Sequence, residues 1–153
     1  MPQGEFRECH MFLYRIGNGL VRRKIPVLPK VCDFLIRLIH NCAVYSETEI
    51  GKGTHFGYGG IGVVIHKRSR IGKGCMIGSN VTIGGRSKSA EVPVIGDNVY
   101  IATGAKILGA VKIGDNCVIG ANAVVIADVP PACVVAGIPA KIIKTDIDVK
   151  EYF

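Results

Sequence analysis

The stretch IGDNVYIATGAKILGAVKIGDNCVIGANAVV, residues 95–125, decides the fold. Ile95, Ile101, Ile107, Ile113, Ile119 and Val125 recur every six residues without a break, and Ile65, Ile71, Ile77 and Ile83 keep the same spacing upstream. An earlier run contains Val44, Ile50 and Phe56. A repeat of this kind sets the architecture of the whole chain. Six is a multiple of the two-residue period of a strand and not of the 3.6-residue period of a helix, so only strands keep such a face inward. The position four after each apolar residue is small or β-branched, as at Thr48, Thr54, Ser69, Cys75, Val81, Val99, Ala105, Val111, Cys117, Ala123 and Val129. Cys75 and Cys117 therefore read as small core residues rather than reactive thiols. The residue directly after the apolar one is often glycine (Gly51, Gly57, Gly72, Gly78, Gly84, Gly96, Gly114, Gly120), which suits a sharp bend because glycine tolerates dihedrals other residues avoid. The spacing predicts an all-β coil of short parallel strands.

The coil also explains the composition. Twenty glycines in 153 residues are nearly twice the ordinary ~7%, yet no Gly-X-Y triplet recurs, which excludes collagen. An apolar fraction of 48% with 20% charged residues excludes disorder. No uncharged apolar run approaches the roughly 18 residues of a membrane-spanning helix. The net charge of +7 permits an acidic partner without choosing one. No nucleic-acid partner is expected, with aromatics at 7% and neither a helix-turn-helix nor a zinc spacing. The six cysteines form no CxxC pair, and Glu5 and Glu8 interrupt any signal-peptide pattern, so a cytoplasmic location is expected.

Two places break the register. Phe56 to Ile65 is nine residues rather than six, leaving an irregular Gly57-Tyr58-Gly59-Gly60-Ile61-Gly62. Ile83 to Ile95 is twelve, with Ser89 in the intervening slot, so residues 84–94 read as an extended loop. Irregularities in a regular solenoid are where function tends to sit. Three regions follow: a helical N-terminal cap over 1–43, a β-helix over 44–144 and a tail over 145–153. The cap has two helix-compatible stretches, about Phe6 to Val21 and Lys30 to Asn41, and carries seven basic and three acidic residues. Arg22, Arg23 and Lys24 allow a peripheral membrane contact, but covering the open end of the coil, or a subunit contact, is the better reading.

The hexads, together with Val81-Thr82-Ile83-Gly84-Gly85, Gly104-Ala105-Lys106-Ile107-Leu108-Gly109, Val129-Pro130-Pro131 and Ala136-Gly137-Ile138-Pro139-Ala140-Lys141, closely resemble the hexapeptide-repeat acyltransferases. The nearest branch is that of the serine O-acetyltransferases and their relatives in polysaccharide biosynthesis. The resemblance implies a left-handed parallel β-helix assembled as a homotrimer, with pairing of two trimers left open. It implies acetyl-CoA as acyl donor, bound between neighbouring subunits, with no metal required. By the same resemblance the thioester lies near Gly84 and Gly85, the pantetheine along Thr103, Gly104 and Ala121, and the phosphates near Lys141 or Lys144. Glycine and alanine let the backbone approach such a ligand, and lysine answers phosphate charge.

Serine acetyltransferases use a histidine base oriented by an aspartate, with a second histidine in the extended loop. The matching positions here hold Tyr58 or Gly59, Ala43 and Val92, and the acceptor-binding charged positions hold Gly57 and Glu91. A small hydroxylated acceptor, a sugar or glycan precursor, is therefore expected, with L-serine as the alternative; a non-catalytic binding or scaffold protein is the reading from another class. The helical region, shorter than the domain serine acetyltransferases carry, points the same way. For the base, His66 stands eighteen residues before Gly84, beside the expected thioester, and an imidazole near its ordinary ~6.5 can deprotonate a hydroxyl. His55 is the second candidate, while Tyr58, a phenol near ~10, is a weaker base. Lys52, Arg70 and Lys88, eighteen apart, and likewise Arg68 and Arg86, are expected to stack as a basic stripe.

Overall fold

The computed structural model describes residues 9–87 and 90–153. Two helices, α1 (Cys9–Arg22) and α2 (Leu28–His40), precede the strands. Three parallel ladders then wind together as a β-solenoid of about four turns. The first face stacks β1 (Glu49–Ile50), β4 (Arg70–Ile71), β7 (Val94–Ile95) and β10 (Lys112–Ile113). The second stacks β2 (His55–Phe56), β5 (Met76–Ile77), β8 (Tyr100–Ile101), β11 (Val118–Ile119) and β13 (Val134–Gly137), and ends on the antiparallel β14 (Ala140–Lys144). The third stacks β3 (Val64–Ile65), β6 (Thr82–Gly84), β9 (Lys106–Leu108) and β12 (Val124–Val125).

The six-residue ladder is the core. Ile65, Ile77, Ile83, Ile101, Ile107 and Ile119 are all fully buried, as are the second-slot residues Ser69, Cys75, Val81, Val99, Ala105, Cys117 and Ala123. Burial of each such isoleucine contributes about 1.5–3 kcal/mol. The cysteines sit in this core as packing residues: burial raises the Cys75 and Cys117 thiols and pushes Cys42 up to about 11.

The glycines after the apolar positions are needed for a different reason from the bend expected of them. Left-handed backbone falls two residues further on, at Asn80, Asn98, Gly104, Asn116 and Asn122, where asparagine and glycine are the residues that accept it. Gly72 and Gly114 instead lie where coils touch. A Cβ on Gly72 would stand 2.3 Å from the Gly96 carbonyl oxygen, and one on Gly114 2.5 Å from the Pro131 nitrogen.

The helical pair closes the first coil. Tyr14 and Ile36 are buried in the solenoid core. The Tyr14 hydroxyl donates to the Thr48 carbonyl and accepts from the Ile50 N–H at 3.2 Å, and Asp33 accepts from the Ser46 N–H at 2.7 Å. Residues 145–153 do not trail into solvent. Val149 is buried with Val118 and Val134 on the outer side of the second face, and the Phe153 ring meets Tyr100 edge-on at 6.0 Å.

Candidate active site

The expected cofactor residues fall on two edges of the prism. The edge between the second and third faces stacks Gly57 and Tyr58, then Gly78 and Ser79, Ala102 and Thr103, Gly120 and Ala121, and Ala136 and Gly137. Its rungs are joined by N–H to carbonyl bonds from Asn80 to Ile61 (2.9 Å), Gly104 to Ser79 (2.9 Å) and Asn122 to Thr103 (3.0 Å). Lys141 continues this column, because β14 pairs it with Ala136; Lys144 pairs with Val134, at the far end of the same strand. Coils stack about 4.8 Å apart, so the four steps from Tyr58 to Ala136 cover about 19 Å.

Gly84 and Gly85 lie on the other side of the third face, at its edge with the first. His66 is beside them as expected: β3 and β6 pair in register, and the His66 N–H donates to the Ile83 carbonyl at 2.8 Å. Its Nδ1 accepts from the Arg68 N–H at 3.2 Å. Unlike the coil glycines, these two are not required by packing. A Cβ on Gly84 would meet nothing within 4 Å, and one on Gly85 only the Val92 Cγ1 at 3.9 Å. The space they leave opens outward. The structure thus brings His66 to Gly84 and Gly85, and Lys141 to Thr103, Gly104 and Ala121, but holds the two groups apart across the third face.

At the upper end of the Thr103 edge lies a cleft of about 770 Å³, lined by Ile39, His40, Asn41, Gly57, Tyr58, Gly59, Ile61, Met76, Gly78, Tyr100 and Thr103. The extra residues after Phe56 make it. Tyr58, Gly59 and Gly60 all take left-handed dihedrals (φ 52°, 68° and 76°), which throws the Tyr58 ring out to 79% exposure. A non-glycine residue held there costs energy the surrounding structure must offset, a common sign of a functional turn.

His40 enters the same cleft from α2 and was invisible to the repeat. The helix ends on Asn41 in the left-handed region, with its N–H on the Arg37 carbonyl, and the Asn41 carbonyl accepts from Gly62 at 2.9 Å. That ties the last helical turn to the irregular loop. His40 is 9% exposed, and burial lowers its pKa below the ordinary histidine value. A methyl on Gly59 would stand 4.0 Å from its Nδ1. His55, by contrast, is exposed on the outer second face in register with Met76, which itself lines the cleft. Among the described residues no carboxylate, lysine or arginine lines the cleft. Among the described residues no group of three or more His, Cys, Asp or Glu is placed to hold a metal ion.

Lys52 and Arg70 do not stack as the expected basic stripe requires. Inserts lengthen the coil from Ile50 to Ile71 to twenty-one residues and that from Ile71 to Ile95 to twenty-four, so a spacing of eighteen does not stack there. Arg70 lies opposite Glu49 and pairs with it at 3.2 Å, while the Lys52 carbonyl accepts from Gly74. Lys88, like Ser89, is outside the described residues. Arg68 and Arg86 follow the one upper pair of strands, β3 and β6, that keeps the eighteen-residue step.

A three-sided coil of hexads with a capped end and an interrupted upper half defines a hexapeptide-repeat transferase fold. Residues 93–127 match the bacterial transferase hexapeptide (six repeats) model, and residues 68–87 the hexapeptide repeat of succinyl-transferase. The serine acetyltransferase of Synechococcus elongatus (strain ATCC 33912 / PCC 7942 / FACHB-805) is 36% identical over 137 residues, which are 88% of this chain and 54% of that protein. A solved serine acetyltransferase in complex with CoA is 31% identical with a TM-score of 0.81, over 88% of this chain and 55% of that one. The soybean serine acetyltransferase complexed with serine is 34% identical with a TM-score of 0.82, over 88% and 56%. The chain belongs to the hexapeptide-repeat acyltransferase superfamily, in its serine O-acetyltransferase-like branch. It spans about half the length of these relatives.

Proposed function

We propose that the protein is an acetyl-CoA-dependent O-acetyltransferase acting on a small hydroxylated acceptor. The observation that carries this reading is the single edge running from the Tyr58–Gly59 turn and its cleft, through Thr103, Gly104 and Ala121, to Lys141. An extended thioester fits it with the acyl group at the cleft, the pantetheine amides against backbone N–H and C=O groups, and the phosphates at the lysine end. Lys144 adds charge one strand-length away. Gly84, Gly85 and His66, on the opposite edge, reach the same ligand in a homotrimer in which that edge of one copy faces the Thr103 edge of the next. The relative solved with CoA supports the donor.

The chemistry is direct transfer. A base takes the acceptor proton while the hydroxyl oxygen attacks the thioester carbonyl, and the thiol leaves from the tetrahedral intermediate. His66, and after it His55, are the coil histidines available for that task. L-Serine is the acceptor the comparisons favour, since the relatives are serine acetyltransferases and one was solved with serine. A sugar or glycan hydroxyl is the second reading. It is favoured by Ala43, Gly57, Tyr58, Glu91 and Val92 at the family's functional positions and by a cleft in which no described residue offers a carboxylate, lysine or arginine to an amino-acid zwitterion. The free thiols of Cys32, Cys42, Cys75, Cys117 and Cys133 support a cytoplasmic location.

The test is release of free thiol from acetyl-CoA by the purified protein with L-serine, with a panel of sugars and with no acceptor. Serine-dependent turnover sets the acceptor as that of the relatives; turnover only with sugars moves it to the glycan class. Binding of neither donor nor acceptor would leave a trimeric scaffold as the better description.

A further inference from the structure

We propose that His40, delivered by the last turn of α2, is the general base of this transfer. The inference rests on the acetyl-transfer reading of the cleft. Four observations converge on it. The coil position where a base is expected by resemblance holds Tyr58 rather than a histidine. The imidazole of His40 reaches the same cleft wall, bringing to the loop by a helix what the coil does not supply. Gly59, at φ 68°, has no side chain to cover the ring: a methyl there would stand 4.0 Å from Nδ1. Burial holds the imidazole in its neutral form, the form that accepts a proton. His66, the coil alternative, belongs to the opposite edge.

The step balances without a further reagent. The imidazole accepts the hydroxyl proton of the acceptor as its oxygen bonds to the acetyl carbonyl carbon. Collapse of the tetrahedral intermediate breaks the carbon–sulfur bond, and the same proton passes to the departing thiolate. The acetyl ester and free CoA leave, and the imidazole is again neutral.

The experiment compares the intact protein with His40→Gln, His40→Ala and His66→Gln, using whichever acceptor supports turnover. Three readouts are needed: kcat, the Kd for acetyl-CoA by calorimetry, and restoration of turnover by added imidazole. The expected result is a kcat loss of about 10²–10⁴-fold in both His40 variants, with acetyl-CoA binding unchanged within about twofold and partial rescue of His40→Ala by imidazole, which a purely structural role would not give. Turnover within about threefold of the parent in both His40 variants overturns the proposal alone, as does a larger loss in His66→Gln. His40→Gln keeps the volume and a polar edge and carries the test if His40→Ala is unfolded. Unfolding of both would assign His40 to holding the helix on the coil and overturn the proposal. Absence of turnover by the parent protein would overturn the acetyl-transfer reading and this inference together.

Discussion

The two halves of the solenoid are built on different arithmetic. From Ile95 to Val125 the coils repeat every eighteen residues, the last step to Val135 shortens to sixteen, and the glycines at the corners, such as Gly96 and Gly114, face the backbone or a side chain of the next coil at less than 3 Å from an added Cβ. Between Ile50 and Ile95 the coils run to twenty-one and twenty-four residues. There the added residues build the left-handed turn at Tyr58 and the loop that starts at Gly84 and Gly85, whose missing side chains face open space. The regular half is packing carried to its limit. The irregular half gives up stacking to make room for a ligand, as expected where local rules fail at functional sites.

The sharpest way to break that contrast is to add one methyl group to each kind of glycine. Gly72→Ala places a Cβ 2.3 Å from the Gly96 carbonyl oxygen, so two coils must part, and a loss of about 3 kcal/mol is expected. Gly84→Ala meets nothing within 4 Å and is expected to leave chemical denaturation unchanged within ~0.5 kcal/mol, while weakening acetyl-CoA binding about tenfold or more. Equal destabilisation by both would erase the distinction between packing and ligand glycines. An undisturbed Kd in Gly84→Ala would remove the first edge of the site.

The same contrast explains what the sequence made legible. Ile95 through Val125 announced the coil because period six leaves no other geometry, and each of those residues is buried. His66 beside Gly84 was readable too, since the step between their strands is one uninterrupted coil. Lys52 and Arg70 do not stack because equal spacing in sequence equals stacking only where no residues are inserted. His40 was missed for a deeper reason: helix α2 meets the loop at Gly59 through tertiary packing, and no periodicity links position 40 to position 59. The corner asparagines are an unused signal: Asn98 and Asn116 take the left-handed region at one slot of successive coils, and Asn80, Gly104 and Asn122 at another.

A smaller effect separates the halves by pH. All four histidines precede Gly84, and the regular half from Ile95 contains none. Burial lowers the pKa of His40 in the folded state, so below about 6.5 the unfolded chain takes up a proton there that the folded chain does not. Stability therefore falls as pH drops through that window, and is flat in this respect above it. Urea midpoints at pH 7.5 and 5.5 should move less in His40→Gln than in the parent protein. An equal shift in both would place the sensitive group elsewhere.

The smallest expected effect tests whether charge on the first face belongs to the site at all. Arg70 pairs with Glu49 at 3.2 Å, but both side chains are more than half exposed, at 65% and 62%. Exposed pairs of this kind contribute about 0–1 kcal/mol and weaken with salt. Arg70 also projects from the first face, not from the third face that lies between the two edges carrying the cofactor residues. Arg70→Ala should therefore change the denaturation midpoint by less than ~0.5 kcal/mol and leave the KM for acetyl-CoA unaltered, whereas Lys141→Ala, at the end of the Thr103 column, should raise that KM severalfold at low ionic strength. A rise in KM with Arg70→Ala that vanishes with salt would bring the first face into the phosphate-binding surface. It would also mean that a neighbouring copy presents a different edge from the one inferred from Gly84 and Gly85.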